Sequence, residues 1–120
     1  DVATAVADLC VALDATRAEP LWQTLALPAL EDGPLDTRRI AQAVARNLPD
    51  HAIVVDEAIT GSLPAQQLSL GARPHDWVQL CGGSIGNGLP LAVGAALGAP
   101  GRRVVCLEGD GSAMYTAQAL

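Results

Sequence analysis

Val104-Val105-Cys106-Leu107-Glu108-Gly109-Asp110-Gly111-Ser112 carries an apolar, β-branched run straight into a carboxylate held between two glycines. A run this short, bounded by glycine, reads as a strand covered on both faces. The turn that follows has the make-up of a metal and phosphate turn. Asp110 can reach a hard cation, the glycines let backbone N–H groups approach an anion, and Ser112 is placed to cap a helix begun near Ala113. The structural alternative is an Asx-type turn in which Asp110 only accepts backbone hydrogen bonds.

Working upstream, residues 77–80 form a second apolar run, delivered into Cys81-Gly82-Gly83-Ser84-Ile85-Gly86-Asn87-Gly88-Leu89-Pro90. Residues 89–97 are rich in Ala, with Gly94 and Gly98, and predict a helix able to approach a sheet closely; residues 98–101 end it. A third run, residues 52–55, leads into Asp56-Glu57. Strands and helices in this order imply right-handed crossovers, so the predicted fold class is α/β: a parallel sheet with helices on both faces, incomplete within this chain. Ligands of such sheets bind at the carboxyl ends of the strands. Those ends are residues 56–62, 82–88 and 109–112, all polar or glycine-rich.

Toward the N-terminus, Val2, Val6, Leu9, Cys10 and Leu13 recur at helical spacing behind Asp1, a suitable N-cap, and the helix is expected to end near Asp14. Residues 19–34, with Pro20, Pro28, Pro34 and Glu31-Asp32-Gly33, read as an extended connection and a domain boundary. Asp36 then caps a second helix with Ile40, Ala43, Val44 and Leu48 on one face and Arg38, Arg39 and Arg46 mostly on the other, stopped by Pro49-Asp50.

Composition narrows the function. Half of the 120 residues are apolar, yet the only aromatics are Trp22, Trp77 and Tyr115, so the core must be built from Ala, Val and Leu. A net charge of −6 argues against nucleic acid or an anionic membrane surface as partner. No apolar run approaches the roughly 20 residues that span a bilayer, and Asp1 opens no basic-then-apolar leader, so a cytoplasmic protein is expected. Cys10, Cys81 and Cys106 form no C-x-x-C pair and are expected to be buried thiols. Every basic residue is Arg, which excludes a Walker A lysine, a Schiff-base lysine and an amine nucleophile from this chain. His51 and His75 do not make a zinc-site pattern.

The glycine clusters do not fit a dinucleotide fingerprint. G-x-G-x-x-G begun at Gly86 meets Leu91, and begun at Gly109 it meets Met114. What they resemble, taken together at their actual separation, is the thiamine-diphosphate-dependent enzymes of the acetolactate synthase large subunit and benzoylformate decarboxylase group. The resemblance rests on Gly82-Gly83-Ser84-Ile85-Gly86-Asn87-Gly88-Leu89-Pro90, the small-residue helix through Gly94 and Gly98, then Arg103-Val104-Val105 and Gly109-Asp110-Gly111-Ser112. Gly-Ser-Ile-Gly-Asn-Gly-Leu-Pro and Met114-Tyr115-Thr116 look most like the acetolactate synthases.

The resemblance implies a division into residues 1–18, the last helix of a central domain; 19–34, a linker; and 35–120, the N-terminal half of the C-terminal, thiamine-diphosphate-binding domain. It implies that Asp110 ligates Mg²⁺, and that Gly109, Gly111 and Ser112 meet the diphosphate. It implies that Gly83 offers its carbonyl to the aminopyrimidine ring and that Ile85 is the apolar wedge holding the cofactor bent. Thr60, and after it Ser62, stand where the family often has hydroxyl residues near the diphosphate. The implied substrate is a 2-oxo acid, with pyruvate decarboxylation and carboligation as the activity, or simple decarboxylation as in benzoylformate decarboxylase. A homodimer or homotetramer sharing each cofactor site between subunits is implied too. Flavin adenine dinucleotide occurs in some full-length relatives, but nothing in this chain marks a site for it. The remaining Mg²⁺ ligand and the activating glutamate of the family lie outside these residues, so no catalytic residue is assigned here and the chain reads as an inactive fragment of a longer enzyme. A binding or regulatory module that keeps the sheet without the chemistry is the alternative of another class. The glycines could serve tight turns alone, and Ile85 could be an ordinary core residue. Glu57, Glu108 and His75 read as solvated loop positions.

Overall fold

A computed structural model of the chain describes residues 1–15 and 22–120. In chain order these form α1 (Val2–Ala12), α2 (Thr37–Asn47), β1 (Ala52–Glu57), α3 (Ser62–Ser69), β2 (His75–Gln79), α4 (Gly88–Gly98), β3 (Val104–Glu108), α5 (Asp110–Thr116) and a 3₁₀ turn, Ala117–Ala119. The three strands make one parallel sheet in the order β2-β1-β3. Val54 lies opposite Trp77 on one side and Val105 on the other. β1 is therefore the central strand, and all six of its residues are buried.

Because strand side chains alternate, Ala52 and Val54 face one layer and Ile53, Val55 and Glu57 the other. Leu48 and Val44, from the end of α2, pack with Ala52, Val54, Trp77, Val105 and Leu107 on the first face. α4 crosses the second face over β1 and β3, its Gly88 against the Glu57 side chain. Helices thus cover both faces of a parallel sheet, as expected. Val54 is fully buried at the centre of the first layer. Val54→Ala is expected to lower unfolding free energy by about 2 kcal/mol, two lost methyl groups plus a residual cavity. The check is a lower urea midpoint at unchanged slope.

α2 starts where the sequence indicates: the Asp36 carboxylate accepts from the Arg39 N–H at 2.8 Å. Residues 22–34 contain no helix or strand and are tied to the body of the chain through their own backbone N–H and carbonyl groups. Arg46 Nη1 donates to the Pro28 carbonyl (2.9 Å), Ala26 N–H to the Gly71 carbonyl (2.7 Å) and Glu31 N–H to Gln42 Oε1 (3.3 Å). Residues 16–21, which hold part of the expected linker, lie outside the described residues.

Several expectations shift. α3, between β1 and β2, is not marked by sequence periodicity; Pro64 sits in its first turn, where a missing N–H costs nothing. α5 begins at Asp110 rather than near Ala113, and its N-cap is Gly109. Ser112 is inside the first turn and does not cap. α1 forms behind Asp1, which accepts from Thr4 N–H at 3.0 Å, yet none of its residues is buried. The cysteines are free but not buried: Cys10 and Cys81 are exposed and Cys106 is half-buried.

Candidate functional site at the carboxyl end of the sheet

The carboxyl ends of β1 and β3 and the loop after β2 meet at one cavity of about 430 Å³. Its lining brings together Thr60, Ile85, Gly109, Asp110, Gly111 and Ser112, residues from three separate stretches of sequence, with Glu57, Ala58, Ile59 and Tyr115. Gly83 is not among the lining residues. It is exposed, and with Gly82 it forms a pair of left-handed residues at φ +71° and +63°. Ser62 also stays out of the cavity, because its hydroxyl donates to Asp56 Oδ1 at 2.7 Å.

Asp110 is exposed at the start of α5. Its Oδ1 accepts from the Gly111 N–H at 2.9 Å. Among the described residues no hydrogen bond involves its Oδ2, which leaves a hard oxygen donor facing solvent. No group of three or more His, Cys, Asp or Glu is arranged to hold a metal among those residues, so Asp110 is a solitary ligand candidate. The Ser112 hydroxyl is turned inward, donating to Glu108 Oε1 and lying 3.1 Å from the Gly109 carbonyl.

Glu57 and Glu108 are strand residues and not loop residues, Glu57 buried and Glu108 half-buried. The parallel register sets them opposite each other at the ends of β1 and β3, on the face covered by α4. Glu57 is 1% exposed. Its Oε1 accepts from the Gly86 N–H at 2.6 Å and its Oε2 from the Gly88 N–H. Gly88 opens α4, so the carboxylate also meets the positive end of that helix. A Cβ on Gly88 would stand 2.8 Å from Glu57 Oε2 and collide with Glu108; glycine is needed there because two carboxylates occupy the space. His75 likewise is no loop residue. It begins β2, at the amino end of the sheet away from the cavity, with its ring edge-on to Trp77 at 6.0 Å.

Sequence reasoning passed over Glu57, although a charged residue ending an apolar buried run at a sheet's carboxyl edge was the available signal. Thr116 left no such signal; its hydroxyl donates to the Gly86 carbonyl at 2.7 Å. Burial, followed by the Glu108 and Glu57 charges, pushes the Cys106 thiol up to about 11. The folded thiol therefore stays protonated where an unfolded one ionises. Its contribution is intact below about pH 8.5 and is lost as pH rises toward 11. Stability is expected to fall over that window, and Cys106→Ser to flatten the fall. Alkylation at pH 8 should modify Cys10 and Cys81 quickly and Cys106 slowly.

The C-terminal thiamine pyrophosphate-binding domain of the thiamine pyrophosphate enzymes matches residues 60–120. The chain belongs to this thiamine-diphosphate-dependent family. It is 52% identical over 93 residues to IlvX of Mycobacterium tuberculosis, a protein named as an acetolactate synthase large subunit, with 78% of this chain and 18% of that protein covered. It is 38% identical over 86 residues to acetolactate synthase isozyme 1 large subunit of Escherichia coli (71% and 15% covered). With benzoylformate decarboxylase of Pseudomonas aeruginosa the identity is 34% over 124 residues (96% and 24% covered). The chain thus spans no more than 24% of any of these three relatives. No solved structure matches it significantly.

Proposed function

We propose that the chain is the cofactor-binding part of a thiamine-diphosphate- and Mg²⁺-dependent enzyme that acts on 2-oxo acids as an acetolactate synthase does, decarboxylating pyruvate and joining the two-carbon unit to a second pyruvate. The observation that carries this reading is the convergence of Asp110, Ile85 and Thr60 on one cavity at the carboxyl end of a parallel sheet. The donor chemistry fits the group: a free carboxylate oxygen suits a hard divalent cation, and a Cβ on Gly111 would meet nothing within 4 Å, so the backbone there is open to an anion. When bound, the cofactor supplies a thiazolium that takes up the electron pair released as CO₂ leaves.

In this reading Asp110 holds Mg²⁺ and orients the diphosphate, with Gly109, Gly111, Ser112 and Thr60 on the same side. Ile85, 59% exposed in this chain, is the apolar surface for the rings. Gly83, outside the cavity lining, serves the aminopyrimidine through its carbonyl. A second subunit covers the site, as a homodimer or homotetramer, and the isolated chain does not turn over substrate. Residues 1–18 belong to a preceding domain, joined through the linker to 35–120; the wholly exposed α1 supports this.

The benzoylformate decarboxylase alignment, which covers nearly the whole chain, favours simple decarboxylation as the second reading. Product analysis of the full-length protein separates the two. Acetolactate or acetoin from pyruvate is the expected outcome, and aldehyde as the sole product would replace the first reading with the second. Thiamine diphosphate binding without turnover of any 2-oxo acid would point to a regulatory module.

A further inference from the structure

Glu57 makes two long-range bonds that the cofactor reading leaves unused. Its buried carboxylate receives the N–H of Gly86, 29 residues downstream, and that of Gly88, 31 residues downstream. Burying an ionised carboxylate is costly unless its oxygens are met by donors; here two backbone N–H groups and the start of an eleven-residue helix meet it. The Gly86 peptide is held from its other side as well, its carbonyl accepting from Thr116 of α5 at 2.7 Å. One peptide unit is thereby clamped between the end of β1 and the helix that carries Asp110. Ile85 is the residue immediately before that unit. Its place in the cavity depends on where Gly86 is held.

We propose that Glu57 is a positioning residue that sets the ring-side wall of the cofactor cavity by fixing the backbone on which Ile85 stands. The proposal rests on the thiamine diphosphate reading above. It assigns Glu57 to the wall that meets the rings, and leaves the diphosphate side to Asp110 and its neighbours. Neutralising Glu57 withdraws an acceptor from at least one of two buried N–H groups, and the loop shifts while the Asp110 turn stays.

The test is calorimetric titration of the full-length protein with thiamine diphosphate plus Mg²⁺ and, separately, with inorganic diphosphate plus Mg²⁺. Glu57→Gln is expected to weaken thiamine diphosphate binding about tenfold or more, the worth of one charge-assisted hydrogen bond. Inorganic diphosphate, which lacks the rings, should bind within about twofold of wild type, below the scale of one such bond. Equal weakening of both ligands overturns the proposal in favour of general loosening, and unchanged binding of both overturns it outright. Should Glu57→Gln not fold, Glu57→Asp keeps the charge but draws the carboxylate back by one methylene, and the same selective loss is expected. Wild-type protein that binds neither ligand overturns the cofactor reading and this proposal with it. A wild type that binds thiamine diphosphate beside variants of equal affinity overturns the proposal alone.

Discussion

Asp110→Ala weakens Mg²⁺-dependent thiamine diphosphate binding by more than about 100-fold. Groups that merely support a metal ligand cost about 10- to 100-fold in metal affinity when removed, so a ligand itself must cost at least as much. The turn offers no substitute: no metal-holding cluster of His, Cys, Asp or Glu surrounds it among the described residues. Because Asp110 is exposed and its bonded oxygen serves only the adjacent Gly111, the folded chain should lose little stability, within about 0.5 kcal/mol. Calorimetry of the full-length protein with thiamine diphosphate and Mg²⁺, beside a thermal melt of the variant, reads both quantities. Unchanged affinity would remove the metal from Asp110 and leave the Asx-type turn as its only role.

Gly86→Ala destabilises the fold by about 2–5 kcal/mol, the sum of left-handed strain of ~1–2 and overpacking of ~1–3. Gly86 sits at φ +88°, and a Cβ there would lie 2.7 Å from Tyr115 Cβ and 3.3 Å from Thr116 Cγ2. Neither neighbour can give way easily, since both belong to α5 and Thr116 is bonded back to Gly86. Gly83 provides the internal comparison. Its φ is +71° but a Cβ would meet nothing within 4 Å, so Gly83→Ala should cost only the strain, about 1–2 kcal/mol. Urea unfolding of the two variants in parallel checks the difference. Equal losses would mean that the Gly86 contact with α5 relaxes freely.

β1 and β3 were legible because each is a short apolar run ending in a carboxylate, and α2 and α4 because their caps and small residues are local signals; β2 was legible only from Trp77 on, because His75 and Asp76, which begin it, are polar. Thr60, Ile85 and residues 109–112 could be named as one constellation from the family resemblance that the two glycine motifs carry, and they do line one cavity. Gly83, named with them, is not on that lining. α3 was missed because its 8 residues mix Ser, Gln and Pro with little apolar periodicity. Ser112 was expected to cap, but the extended Gly109 is the N-cap and the helix starts at Asp110, which leaves Ser112 inside the first turn. Glu57 and Glu108 were read as solvated because carboxylates are seldom buried without a partner, and Glu57's partners lie 29 and 31 residues away.

The order of residues by itself determined the class of fold, the ends of the sheet at which chemistry belongs, and the Gly109-Asp110-Gly111-Ser112 turn with its single exposed carboxylate. These are consequences of local hydrophobic patterning and of what glycine and Asp can do within a few residues. Only the tertiary structure decided that Glu57 and Glu108 stand side by side under α4 and that Gly86 is held from both sides. Each of those depends on strand register, a relation between segments distant in sequence. A hydrogen bond to a residue 29 places away leaves no trace in either segment until the sheet aligns them.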